Sequence, residues 1–238
     1  LIAVGNACRE LGAAPLIAGT WRAGVADALA LARQSLREMT DDRRAQTVTR
    51  KQMDAAFDLY AKLGIDAVKT GYVSDAGGMQ ALGPDGKTAF EWHEGQASSV
   101  HHLKVVTEAA KRHIAINAHE PIKDTGLRRT YPNWVSREGA RGMEYNAWGA
   151  PPNPPEHESV LVFTRMLGGP MDFTPGVLSL TGKHDQQIQS TEAKQLALYV
   201  VLYSPIQMAA DLPENYAKYP RSFQFIKDVP PTGRIRAC

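Results

Sequence analysis

An α/β fold with parallel strands is the class this sequence predicts, on three observations. Two helix-patterned stretches each run into a short apolar strand, and that alternating order favours parallel pairing. The second strand stops abruptly at His119-Glu120-Pro121, where a proline cannot extend a central strand. Glu120 is thereby set at the carboxyl end of a strand, which is where barrel and doubly wound folds keep their chemistry.

The elements follow in order. Val25 to Met39 carries Ala28, Leu29, Ala32, Leu36 and Met39 at helical spacing. A helix beginning near Lys51 aligns Met53, Ala56, Phe57 and Tyr60 on one face and closes at Gly64, and Ile65 to Thr70 follows as a strand. Between 75 and 98 the glycine-rich stretch AGGMQALGPDGKTAFEWHEGQ reads as a loop on the expected active-site face. A second helix from about Ser99 to Arg112, with Val100, Leu103, Val106 and Ala110, feeds the strand Ile114 to Ala118. A third helix is expected near Thr191 to Ala209, kinked or bounded by Pro205.

Composition bounds the function. The chain has 238 residues, 43% hydrophobic and 22% charged, which is globular in class and sufficient for a sizeable core. A formal net charge of +2 with dispersed basic residues makes no case for nucleic acid or an anionic membrane as partner. No apolar run reaches the roughly 18 residues of a spanning helix, and no signal peptide is visible at Leu1. Neither a Gly-x-Ser-x-Gly elbow, a phosphate-cradling loop nor a CxxC pair is present, which lowers acyl-transfer, nucleotide and redox chemistries.

Three carboxylates, Glu120, Glu138 and Glu144, stand among glycines, aromatics and arginines between His113 and Trp148. On one helix Glu138 and Glu144 would point about 240° apart, so a common ligand requires a bent path. Gly139 and Gly142 allow one. Three clustered carboxylates repel unless a proton or a hard cation holds them, and calcium suits an all-oxygen set. The alternative is that Glu138 and Glu144 are solvated loop charges paired with Arg137 and Arg141.

Longer strings carry a resemblance. GIDAVKTGYVSD (64–75), NAHEPIKDTGLRRTYPNW (117–134), REGARGMEYNAWG (137–149), PPEHE (154–158), FTRMLGGPMDFTPG (163–176) and QLALYVVLYSPIQMAADLPENY (195–216) closely resemble glycoside hydrolase family 97, the family of bacterial α-glucosidases and α-galactosidases. The resemblance implies a calcium-dependent catalytic domain of (β/α)8 (TIM-type) architecture, here incomplete and running from 51 to 230. It implies Glu144 as general acid, Glu120 as general base and calcium ligand, and Glu138 and Glu144 as further ligands. His119 and Lys69 would contact substrate hydroxyls. Retaining members carry an aspartate nucleophile where this chain reads Gly71, so the resemblance implies the inverting branch, acting on small α-glucosides or malto-oligosaccharides. It further implies a periplasmic or exported location.

The chain also departs from the family pattern. Residues 1–50 and the tail 231–238 do not match, and REMTDDRRAQTVTR lacks the His-any-Glu-Thr base setting of inverting members. A truncated or frame-shifted gene would explain this, as would a catalytically inactive remnant. An α-galactosidase of the same family is the other alternative. A complete barrel needs about 250 residues, and only about 180 match.

Other groups have plainer readings. In Glu91-Trp92-His93-Glu94, Trp92 is placed to stack on a pyranose face or to serve in packing. Adjacent His101 and His102 diverge by about 100° on a helix and make a poor zinc pair. Glu156, His157 and Glu158 suit either substrate binding or loop orientation, with the structural role preferred. Arg128, Arg129, Tyr131 and Trp134 read as support for the acidic loop rather than as an RNA surface.

Overall fold

The computed structural model describes residues 50–71, 78–82, 85–147, 149–182 and 185–230. The expected helix over Val25 to Met39 lies outside them. Helix α1 (Arg50–Lys62) ends at Gly64, whose φ of 70° is a left-handed cap that a side chain disfavours, and strand β1 (Ala67–Thr70) follows. After a hairpin of β2 (Gly78–Leu82) and β3 (Thr88–Trp92), helix α2 (Gln96–Ala110) leads into β4 (Ala115–Ala118). The short α3 (Leu127–Thr130) precedes β5 (Trp134–Arg137).

Strands β1, β4 and β5 form one parallel sheet in the order β1-β4-β5. Thr70 lies opposite Ala118, and Ala118 opposite Arg137, so three carboxyl ends stand level. Met171 adds a parallel bridge to Arg137 and carries the sheet one position further. The described residues thus form an open parallel sheet rather than a closed barrel.

The α1 and α2 faces pack on the sheet. Met53, Phe57, Val105, Val106 and Ala109 bury against Ile114, Ile116, Ala118 and Trp134. Each large apolar side chain so removed from water contributes about 1.5–3 kcal/mol. A second cluster, Met143, Leu161, Met171, Phe173, Ile188, Leu198 and Leu202, packs beyond β5 and includes α4 (His157–Phe163) and α5 (Glu192–Val201). The third joins Tyr199 to α6 (Pro213–Tyr216) and α7 (Pro220–Asp228) through Tyr216 and Ile226.

Two expectations change. The glycine-rich stretch expected as a loop contains the antiparallel hairpin β2-β3. Thr88, Phe90 and Trp92 have the β-branched and aromatic character of a strand, and Asp85 Oδ1 accepts from Lys87 N in an Asx turn before it. The helix expected to reach Ala209 stops at Val201. Thr191 Oγ1 caps its start by accepting from Lys194 N, and Gln207 Nε2 donates to the carbonyls of Tyr199 and Leu202 at its end. Ser204, held off the helical region by Pro205, cannot continue it. Among the described residues no helix is long and apolar enough to cross a membrane.

Candidate active site

The strand ends deliver the site. Lys69 is the penultimate residue of β1, His119 and Glu120 leave β4, Glu138 leaves β5, and Asp172 follows the bridge at Met171. Glu144 comes from a 3-10 turn, Met143–Ala147, rather than from an irregular loop. Hydrogen bonds from His119 N to Thr70 O (2.6 Å), Glu138 N to Ala118 O (2.9 Å) and Asp172 N to Arg137 O (2.8 Å) continue the ladder past the strands and fix these residues side by side.

His119 is the hub. Its Nε2 stands 2.7 Å from Asp172 Oδ2, and its Nδ1 lies 3.2 Å from Glu138 Oε2 and 3.9 Å from Glu144 Oε1. Atoms of His119, Glu138 and Glu144 that could ligate a metal lie within 4.8 Å of one another, the one such group among the described residues. Glu120 turns at a φ of 42°, a left-handed conformation that costs a non-glycine residue about 1–3 kcal/mol. Its backbone N approaches Glu138 Oε2 at 3.5 Å. On its other side it meets Gly71, where a Cβ would fall 2.8 Å from Glu120 Oε2.

Electrostatics divide the carboxyl groups. Burial pushes Glu144 up, and the adjoining Glu138 carboxylate pushes it further. Burial also acts on Glu138, but the hydrogen bond and charge of His119 override it and hold Glu138 below the usual carboxylate range. The two carboxyl groups are thus pushed in opposite directions, Glu144 up and Glu138 down, the kind of separation acid–base chemistry uses. Glu120 is raised by burial and by the charge of Glu138. Burial disfavours a charged His119, yet its bonds to Asp172 and Glu138 raise it to about 9.

A cavity of about 620 Å³ opens beside the cluster, lined by Glu120, Glu138, Glu144, Tyr145, His93 and Arg141 among others. Of the residues expected from sequence, His119, Glu120, Glu138 and Glu144 come together, and Lys69 joins them through Asp172 Oδ2 at 3.4 Å. Trp92 does not join them. It is 72% exposed at the end of β3 and outside the cavity lining. Its neighbours hold the segment in place: Glu91 Oε2 accepts from Ala97 N at the start of α2, His93 Nε2 lies 2.9 Å from Pro121 O, and Glu94 accepts from Lys123 N.

The structure adds residues that sequence reasoning passed over. Asp172 is 1% exposed and gathers His119, Asn117 and Lys69. Thr174 Oγ1 lies 2.5 Å from Glu144 Oε2. Arg165 donates to the carbonyls of Glu138, Arg137, Gly169 and Pro170, fastening the β5 end to the strand position beyond it. Asp172 and Thr174 lie in FTRMLGGPMDFTPG, but no spacing within that string marks them out.

The remaining groups are structural. His102 stacks on Trp134 with ring centroids 5.9 Å apart, and burial lowers it to about 4, a neutral core histidine. Arg137 lies over the Trp134 ring at 3.5 Å, while Asp124 binds Arg137 at 3.0 Å and Arg128 at 3.2 Å, so this cluster supports the acidic segment. Glu158 pairs with Lys194 at 2.7 Å, and His157 Nε2 lies 2.8 Å from Arg141 O.

Residues 30–140 match the family model described as Glycoside hydrolase 97. That match begins within the segment 1–50. The chain is similar to a solved Glycoside Hydrolase Family 97 enzyme in complex with acarbose from a Pseudoalteromonas species (strain K8), with 61% identity and a TM-score of 0.72 over 77% of this chain and 28% of that one. A variant of that enzyme in complex with panose gives the same identity, TM-score and coverage. It is also 33% identical over 152 residues, 60% of this chain, to a protein named retaining alpha-galactosidase from Bacteroides thetaiotaomicron. The chain spans 23% of that relative's length.

Proposed function

The chain belongs to glycoside hydrolase family 97, and from that premise we propose that it carries the site of an inverting hydrolase of terminal α-glucosidic bonds in small α-glucosides or malto-oligosaccharides. Because it spans only 28% of the solved relative, this activity is assigned to the protein as a whole, with the sheet as one sector of a (β/α)8 barrel. A periplasmic or exported location goes with the same reading.

The observation that carries the proposal is the placement of Gly71 against Glu120, beside a Glu144 that burial and the adjoining Glu138 push up. Glu144 donates its proton to the departing glycosidic oxygen. Gly71 has no nucleophile to offer, so a water must attack the anomeric carbon, and Glu120 takes its proton. Both groups face the cavity. Lys69, paired with Asp172 at 3.4 Å and with its side chain 20% exposed, would contact sugar hydroxyls. His119 reaches such a hydroxyl only by releasing one of its two carboxylates.

The carboxylates of Glu138 and Glu144, with Glu120 beside them, would offer calcium hard oxygen atoms that repel one another without a cation. Bound there, calcium would supply positive charge to offset that repulsion and to polarise substrate oxygens. The His119 nitrogen is the poorer donor for such an ion.

The relatives at higher identity support the glucoside reading. The enzyme at 61% identity was captured with acarbose and panose, and panose is built of α-linked glucose. An α-galactosidase is favoured by the 33% identical relative, but that relative is named retaining, and glycine at 71 opposes a retaining mechanism. Assays of paired aryl α-glucosides and α-galactosides decide between them. Faster cleavage of the galactoside would overturn the glucosidase reading.

A further inference from the structure

We propose that Asp172 is a positioning residue of this site, whose carboxylate holds the Nε2–H of His119 and thereby turns the opposite ring nitrogen onto Glu138 beside the acid Glu144. This rests on the hydrolase reading and deepens it. Asp172 touches none of the reacting atoms.

The geometry is specific. A single oxygen, Asp172 Oδ2, receives His119 Nε2 at 2.7 Å, Asn117 Nδ2 at 2.6 Å and Lys69 Nζ at 3.4 Å. These three donors come from β1 and β4, while Asp172 N is tied to Arg137 O at the end of β5. One buried residue therefore joins β1 and β4 through its carboxylate and β5 through its backbone N–H, beneath the acidic cluster. Such a group is stable in the interior only because its charge is paired and hydrogen-bonded.

The consequence is directional. An imidazole ring can present its two nitrogens to two different groups only in one orientation, and a carboxylate on one N–H fixes the tilt of the ring. With Nε2 committed to Asp172, Nδ1 faces Glu138 Oε2 at 3.2 Å. Without Asp172, the Nε2 side of the ring loses its carboxylate, and Lys69 and Asn117 lose their common acceptor.

The test uses the full chain with 15N-labelled histidine. A downfield, slowly exchanging proton on His119 Nε2, assigned by its loss in His119→Gln, is expected in the parent protein. Asp172→Asn, which keeps the shape and removes the charge, is expected to shift that proton upfield and speed its exchange about tenfold, the factor that halving a charge-assisted hydrogen bond allows. An unchanged signal in a folded Asp172→Asn protein would overturn the proposal. If that variant fails to fold, the parent spectrum decides alone: an unprotonated or freely exchanging Nε2 rejects the role. Where hydrolysis is measured, kcat should fall in Asp172→Asn with KM little changed. A whole protein with the expected signal that cleaves no maltose upholds the positioning and refutes the hydrolase reading instead.

Discussion

Gly71 and Glu120 meet at the ends of β1 and β4: a Cβ on Gly71 would lie 2.8 Å from Glu120 Oε2, 2.9 Å from His119 Cβ and 3.1 Å from His119 O. Two of these neighbours are backbone or the root of a side chain, so they cannot yield cheaply. Glu120 fills the space that a side chain at 71 would need. The strand end holds one carboxylate, on Glu120, and that choice suits a mechanism in which water attacks.

Substituting Gly71→Asp should therefore displace Glu120 rather than create a nucleophile. Overpacking of this kind costs about 1–3 kcal/mol. A lowered melting temperature with loss of hydrolysis is expected. Full activity with a trapped glycosyl-enzyme would contradict the water-attack reading.

Glu144→Gln removes the proposed proton donor but keeps the contact with Thr174. Hydrolysis of substrates with poor leaving groups should fall by roughly 10²–10⁴, the usual contribution of a positioned acid, while activated aryl glycosides lose much less. Equal losses on both substrate classes would remove Glu144 from that role.

His119 links stability to pH. Its folded value of about 9 exceeds the ordinary histidine value of 6.5, so its stabilising contribution is fully present below the unfolded value and is lost as pH rises through about 9. In chelator, the melting temperature should drop between about pH 7 and pH 10, and His119→Gln should flatten that limb. An identical slope in the variant would place the titrating group elsewhere.

Calcium should raise the melting temperature, because a ligand that binds only the folded state stabilises it by about 2.7 kcal/mol at a hundred times its Kd. Glu138→Ala should shrink the shift at a given calcium concentration. The readout needs no turnover. A calcium titration unchanged by the substitution would take Glu138 out of the ligand set.

Much of this was legible in local patterns. Met53, Phe57 and Tyr60 reported α1 through their spacing, and the abrupt His119-Glu120-Pro121 marked the end of β4. The hairpin was not legible because the glycines around it outweighed the short strand signal of Thr88 to Trp92. The early end of α5 depended on Gln207 capping from beyond the helix. Asp172 lies 53 residues after His119, and its role arises only when parallel pairing brings the β4 and Met171 positions to one level. Periodicity describes a segment's own face, while this site is assembled between segments.

The central claim is water attack with Glu144 as acid, and anomeric detection tests it most directly. Proton NMR of maltose incubated with the protein, in calcium and in chelator, should show β-glucose appearing first and only with calcium. Initial release of α-glucose would mean retention and would contradict the account.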